Sequence, residues 1–419
     1  MEPLVKTAHF WRKASFGATL SELNSTTPPT TLVKNWLNAP PALTLPNLAP
    51  IDSSDRRQVV RAIAQQRREF GKWLLGQIIT AQNPLHEKMV NFWRDHFVVA
   101  LTKVRFPLLL TDYEQRLRQF ALGDFQELLW QVTSSPAMLV YLDNLQNRRG
   151  NINENFSREV MELFTIGRGN YTEKDIQEGA RALTGLMIRR DRQRGTATAQ
   201  FVARRHDPGE KVFLGRRGAL RPENVVEILA NHPATPKLLA RKLWSTFAYP
   251  NPEPKVIERL VAAYRNNQRS IKAMVEAVFN SPEFYSAKSY RSQLKTPIYF
   301  MVGSIRQLGI QAQPERIVAA LRTMGQVIYN PPTVKGWADE RGWYTAPSLL
   351  ARFNLAQAMS SAYEDDNGFG FASDRFSRSD LIRLLADGTL DPTLQRASQG
   401  LELRDFTALL LASPNYQLI

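Results

Sequence analysis

The sequence predicts a mainly α-helical fold: an irregular multi-helix single domain with one small β-hairpin inserted near 196–215. Three observations predict it. Apolar residues recur at helical spacing along most of the 419 residues. Pro and Gly, 25 and 22 in number, punctuate between those stretches. Only 196–203 and 211–214 are short and β-compatible.

In chain order, good helix formers fill 56–81, and 85–100 carries a clear 3.6-residue pattern. Helical patterns follow over 112–133, 153–166, 173–188, 222–231, 235–247 and 254–266. They resume over 270–280, 292–309, 314–324, 346–361, 378–385 and 402–412. Between the two β-compatible stretches lies Asp207-Pro208-Gly209. Pro presets φ and Gly tolerates positive φ, so the hairpin is expected to pair 196–203 with 211–214. A weak internal echo recurs at Asp124-Phe125…Ser135-Pro136, Ser270-Ile271…Ser281-Pro282 and Asp405-Phe406…Ser413-Pro414. In each, an amphipathic helix ends before a Ser that caps and a Pro that starts the next turn. The spacings are unequal, which argues against a solenoid. The expected organisation is two halves, 1–232 and 233–419, packed as one unit.

Composition narrows the function classes. The chain is 43% hydrophobic and 22% charged, which suits a globular core. Its net charge of +15 favours polyanionic partners. Residues 185–222 hold ten Lys/Arg against three Asp/Glu, nearly half of that excess. Zero Cys excludes disulfides, thiolate metal sites and a cysteine nucleophile. No apolar run is long enough for a membrane span, and residues 1–19 lack a signal-peptide core. As written the chain reads as cytoplasmic; a mature exported form would look the same. There is no phosphate-binding Gly-x-x-x-x-Gly-Lys-Ser/Thr, no Gly-x-Ser-x-Gly elbow and no His-Glu-x-x-His.

Chemistry-bearing residues concentrate in three places. On the 85–100 helix, His96 falls within the apolar stripe of Leu85, Met89, Phe92 and Trp93, while Glu87, Asn91 and Asp95 fall opposite. His96 is then either a neutral core histidine bonded to a carbonyl or a metal ligand or base aimed into a cleft. On the 153–166 helix, Asn155, Glu159 and Glu162 line up at i, i+4 and i+7 beside the apolar face. Two half-buried carboxylates must be paired, protonated or metal-bound, and Arg158 can pair with Glu154 or Glu162. At the hairpin, His206-Asp207 either initiates the turn or folds over to meet Glu159 and Glu162. Thr172…Asp175 reads as a capping box and Glu178 as solvated. His9, His86 and His232 read as surface or helix-end residues. In the rigid Pro331-Pro332-Thr333-Val334-Lys335-Gly336-Trp337 loop, Trp337 with Trp343 either stacks on a ligand or plugs a gap between helices. Arg352 and Asn354 are candidates for tying that loop to the first half.

Several of these motifs resemble one bacterial family, the "domain of unknown function 1800". The resemblance rests on Asn153-Glu154-Asn155-Phe156-Ser157-Arg158-Glu159-Val160-Met161-Glu162-Leu163-Phe164 and on Phe92-Trp93-Arg94-Asp95-His96-Phe97. It rests also on His206-Asp207-Pro208-Gly209-Glu210-Lys211, Pro331-Pro332-Thr333-Val334-Lys335-Gly336-Trp337 and Leu349-Leu350-Ala351-Arg352-Phe353-Asn354. Matches run in order from about 9 to 359. Leu186 stands where the family usually has Trp. The resemblance implies that relatives are often exported and often encoded beside another uncharacterised family, hence a protein partner encoded nearby.

The residues themselves lead to two expectations. One is an enzyme acting on an anionic or polyhydroxy substrate such as a polysaccharide. His96, Glu159, Glu162, His206 and Asp207 would be its catalytic groups. His96, Glu159, Glu162 and His206 would also be ligands of a divalent transition metal. Asn155, Arg158, Arg189, Arg190, Arg204, Arg205, Lys211 and Trp337 would dock the substrate. The alternative is a non-catalytic binding or assembly protein that grips an acidic polymer or a partner protein through the basic face. Nothing resembles a nucleic-acid module.

Overall fold

The computed structural model describes residues 1–49, 51, 55–191, 196–337, 340–362 and 368–419. Among them are twenty α-helices and three two-stranded antiparallel sheets, so the protein is mainly α-helical as expected. None of these helices is long and apolar enough to cross a membrane.

Proline starts many of the helices, including Pro3–Ala14, Pro29–Asn38, Pro84–His96, Pro107–Phe120, Pro254–Asn266 and Pro297–Leu308. At the first helical position its missing N–H would have had no partner anyway. Short polar side chains cap others: Asp124 accepts from Gln126 and Glu127, and Ser270 from Ala273. The expected 112–133 helix is therefore two, Pro107–Phe120 and Phe125–Thr133, broken at Gly123-Asp124. Two copies of the echo meet here. Asp124 and Ser270 form an isolated antiparallel bridge, and the Arg269 guanidinium pairs with Asp124 at 2.8 Å.

The hairpin region differs from expectation. Glu173–Ala182 ends early, because Gly185 turns the chain at φ +89, and Leu186–Asp191 becomes a strand instead of more helix. It pairs with Thr196–Phe201, while Lys211–Phe213 pairs with Arg216–Gly218. Each β segment thus finds a sequence-adjacent partner, and Asp207-Pro208-Gly209 turns the chain between two hairpins. Asp175 and Glu178 then have a structural task. Their carboxylates accept the Leu214 and Val212 amides and hold the second hairpin to the helix.

One apolar core runs through the chain, from Phe10, stacked on Trp36 at 5.8 Å, to Leu411. At its centre Trp93, Phe97 and Phe125 stack in sequence, with the Trp93 indole N–H donating to the Ala121 carbonyl. Fully burying such a side chain is worth about 1.5–3 kcal/mol. The Pro84–His96 helix is consequently enclosed on both faces. Its polar face carries Glu87 and Arg94 into a buried network with Glu114 and Arg118.

Candidate functional site

The open end of that helix forms one wall of a cleft of about 720 Å3, within the range of ligand pockets. Asn91, Phe92 and Asp95 supply this wall. Ser245 and Thr246, at the end of the Thr235–Phe247 helix, and Asn251 supply a second. Trp337 and Trp343 close a third side, their ring centroids 6.1 Å apart and tilted by 40°. Tyr299, Tyr329 and Lys88 line the interior. The Lys88 ammonium donates to the Arg12, Lys13 and Ser15 carbonyls at the end of the Pro3–Ala14 helix.

Asp95 is the carboxylate of this cleft. It is accessible from the cleft, yet protein encloses it on the other sides, and that burial raises its pKa above the ordinary Asp value. The Trp337 N–H, donating to Oδ1 at 3.3 Å, and the Lys242 charge oppose the rise. Gly336 permits the approach of the loop. It sits at φ +90, and a Cβ there would lie 2.7 Å from Asp95 Oδ1. Gly336→Ala should therefore destabilise the fold by roughly 1–3 kcal/mol and push the loop off Asp95. A thermal melt checks this; an unchanged midpoint would contradict the tight approach.

Behind Asp95 stands a buried pair. Lys242 Nζ donates to His96 Nδ1 at 3.0 Å, and His96 Nε2 lies 3.0 Å from the Phe164 carbonyl. The ring is thus neutral with its proton on Nε2, and burial holds its pKa well below the usual value. Burial also pushes Lys242 down to about 8, partly offset by Asp95. The acceptors arise from a π-helical turn, Val160–Thr165, in which the Thr165 hydroxyl takes the Val160 carbonyl. Gly167 then ends the helix at φ +75, and the Leu163 and Phe164 carbonyls accept from Lys242 and His96 instead. π-turns of this kind are frequent at functional sites.

The other expected residues are dispersed. Glu162 accepts from Arg168 at 2.6 Å and from the Tyr171 hydroxyl at 3.0 Å, which lowers its pKa. Glu159 is half-buried with a raised pKa, from burial first and then from Glu162; Lys335 and two arginines oppose the rise. Lys335 precedes the Gly336-Trp337 step that touches Asp95, so one loop faces both carboxylate groups. Asn155 bonds the Leu142 carbonyl, and Arg158 forms a two-bond pair with Glu173. His206 is buried against Phe201, with Nδ1 3.0 Å from the Thr184 carbonyl. Asp207 is held by Arg181 through two bonds, and Lys211 by the Asp207 and Gly209 carbonyls.

His206 and Asp207 are thus bound within their own segment and do not reach Glu159 and Glu162. Among the described residues, no three His, Asp or Glu groups stand close enough together to hold a metal ion, so the expected four-residue ligand set does not assemble. Arg189 and Arg204 are exposed and Arg205 half-buried; the Arg190 side chain lies outside the described residues. Arg352 does not hold the Trp337 loop. It is buried and donates to Gln417 and the Lys295 carbonyl.

Asp95 and Lys242 were not singled out by the sequence. Asp95 had one signal, its position four residues after Asn91 on the polar strip opposite the stripe that holds His96; Lys242 had none. Fold and site together define a mainly α-helical protein with an aromatic and amide-lined cleft around one carboxylate. The chain belongs to the family described as Protein of unknown function (DUF1800), whose model matches residues 9–418. No curated protein and no solved structure matches it.

Proposed function

We propose that the cleft binds a polyhydroxy substrate of the glycan type and that Asp95 acts on it as a general acid–base. The observation that carries this reading is the accessible, raised-pKa carboxylate set beside Trp337 and Trp343. Aromatic faces suit the C–H faces of sugar rings, and the amides and hydroxyls of Asn91, Asn251 and Thr246 suit their hydroxyls. A carboxyl that keeps its proton closer to neutral pH is a better proton donor to a leaving oxygen. Once that proton is given up, the nearby Lys242 ammonium stabilises the carboxylate, and His96 fixes the ammonium by accepting its hydrogen bond. Paired-carboxylate glycoside hydrolysis needs a second acid. Among the described residues Asp95 is the acidic side chain that lines the cleft.

The test is a panel of oligosaccharides, with binding read by calorimetry and conversion by mass spectrometry. Asp95→Asn should keep binding and lose turnover by roughly 100-fold or more, the usual weight of a general acid. Trp337→Ala should lose binding. Binding without conversion by the wild-type protein would reduce the cleft to a non-catalytic site. No binding by any member of the panel would sink the reading.

A further inference from the structure

A second surface is built from arginines rather than aromatics. On the Leu186–Asp191 strand, Met187 and Arg189 point to the same face, since side chains alternate along a strand. Arg205, in the short turn Ala203–Arg205, lays its guanidinium 3.5 Å from the Met187 sulfur and so shares that face. The Arg205 carbonyl accepts the Arg149 amide at 2.8 Å. This joins the hairpin to a tight turn whose ends, Arg148 and Asn151, exchange two backbone bonds around Gly150 at φ +79. Arg148, Arg149, Arg189 and Arg204 are exposed.

Three arginines on neighbouring segments are matched. Arg158 pairs with Glu173, Arg181 with Asp207 and Arg217 with Glu210. Among the described residues, none of Arg148, Arg149, Arg189, Arg204 and Arg205 takes part in an ion pair. Five arginines on adjoining segments give this part of the surface a local excess of positive charge that favours an anionic partner.

We infer that this face docks a carboxylated polysaccharide. Planar guanidinium forks match carboxylates by paired hydrogen bonds. Among the described residues this face presents no helix to a nucleic-acid groove and no exposed ring on which bases stack. Among them Ile152 is the large exposed apolar side chain, too little to anchor in a membrane. The inference is independent of the cleft and survives if that reading fails.

The experiment measures binding of the full chain to polygalacturonate, neutral dextran, duplex DNA and phosphatidylserine vesicles at increasing salt. Polygalacturonate should bind, dextran should not, and salt should weaken the complex steeply. Arg148→Ala, Arg149→Ala, Arg189→Ala and Arg205→Ala combined should weaken it by about tenfold or more. If that variant fails to fold, Arg148→Glu with Arg149→Glu, confined to the exposed turn, must give the same loss. Trp337→Ala should leave this binding unchanged. Equal binding by the arginine variants would overturn the inference, and so would tighter binding to DNA or to the vesicles.

Discussion

Replacing Glu114 by Gln is expected to cost about 3–5 kcal/mol of stability, the largest loss for any single conservative change in this protein. Glu114 is fully buried between two arginines. Arg94 donates to both of its oxygens, and Arg118 Nε lies 3.2 Å from Oε1. Glu87 completes a neutral set of two acids and two bases by accepting from the same arginines. Those arginines hold the Glu114 carboxyl down to about 2 against the burial that would raise it. Gln keeps the volume and one acceptor but leaves a net buried positive charge, which low-dielectric surroundings penalise heavily. The Tyr329 hydroxyl also donates to Glu114, and Tyr329 lines the cleft, so the wall of the proposed site should loosen with it. Denaturant unfolding reads the loss as a lower midpoint at unchanged slope. A loss under about 1 kcal/mol would mean that water reaches the network and that these charges behave like surface pairs.

The same helix shows what the sequence can and cannot reveal. Its apolar stripe is written in the spacing, and His96 lies buried within that stripe. Its polar face reads as solvent-facing only if one side of the helix meets water. In a chain this long the helix is central, so Glu87 meets arginines and Asp95 meets a cleft. Helix starts were legible because Pro, Ser, Thr and Asp at the caps act locally. Strand pairing was less so. The Asp207 turn signal is local, but which strands pair depended on Gly185 ending the preceding helix. Lys242 was invisible for the opposite reason: its partners, His96 and Leu163, are distant in sequence, and nothing around position 242 marks a buried ammonium. His9 lies within the Pro3–Ala14 helix and His86 near the start of Pro84–His96, yet each is buried with Nε2 2.8 Å from a carbonyl, of Phe284 and Arg118 respectively.

Those buried histidines lead to the second large effect, acid unfolding that begins well above the carboxylate range. His9, His86 and His96 are each neutral in the fold, with one ring nitrogen against a backbone carbonyl. A second proton has no acceptor waiting. His9 Nδ1 is buried without a partner, and His96 Nδ1 already accepts from the Lys242 ammonium. Burial accordingly lowers all three pKa values from the ordinary 6.5, that of His9 to about 3. The folded values lie below the unfolded ones, so their stabilisation is complete above pH 6.5 and drains away as pH falls below it. Below pH 6.5 the unfolded chain therefore binds protons at these rings more readily than the folded chain, and each fully displaced proton contributes a slope of about 1.4 kcal/mol per pH unit. His206 and His232, also lowered by burial, act in the same direction. Glu114 and Glu87, also lowered in the fold, add their loss only below their ordinary value of 4.5. Denaturant unfolding between pH 7.5 and 5 therefore reads the histidine contribution. His96→Gln should reduce the slope measurably, whatever it does to the absolute stability. Stability that stays flat from pH 7 to 5 would show that the rings accept protons without opening the core, and the neutral His96 that accepts from the Lys242 ammonium behind Asp95 would have to be abandoned.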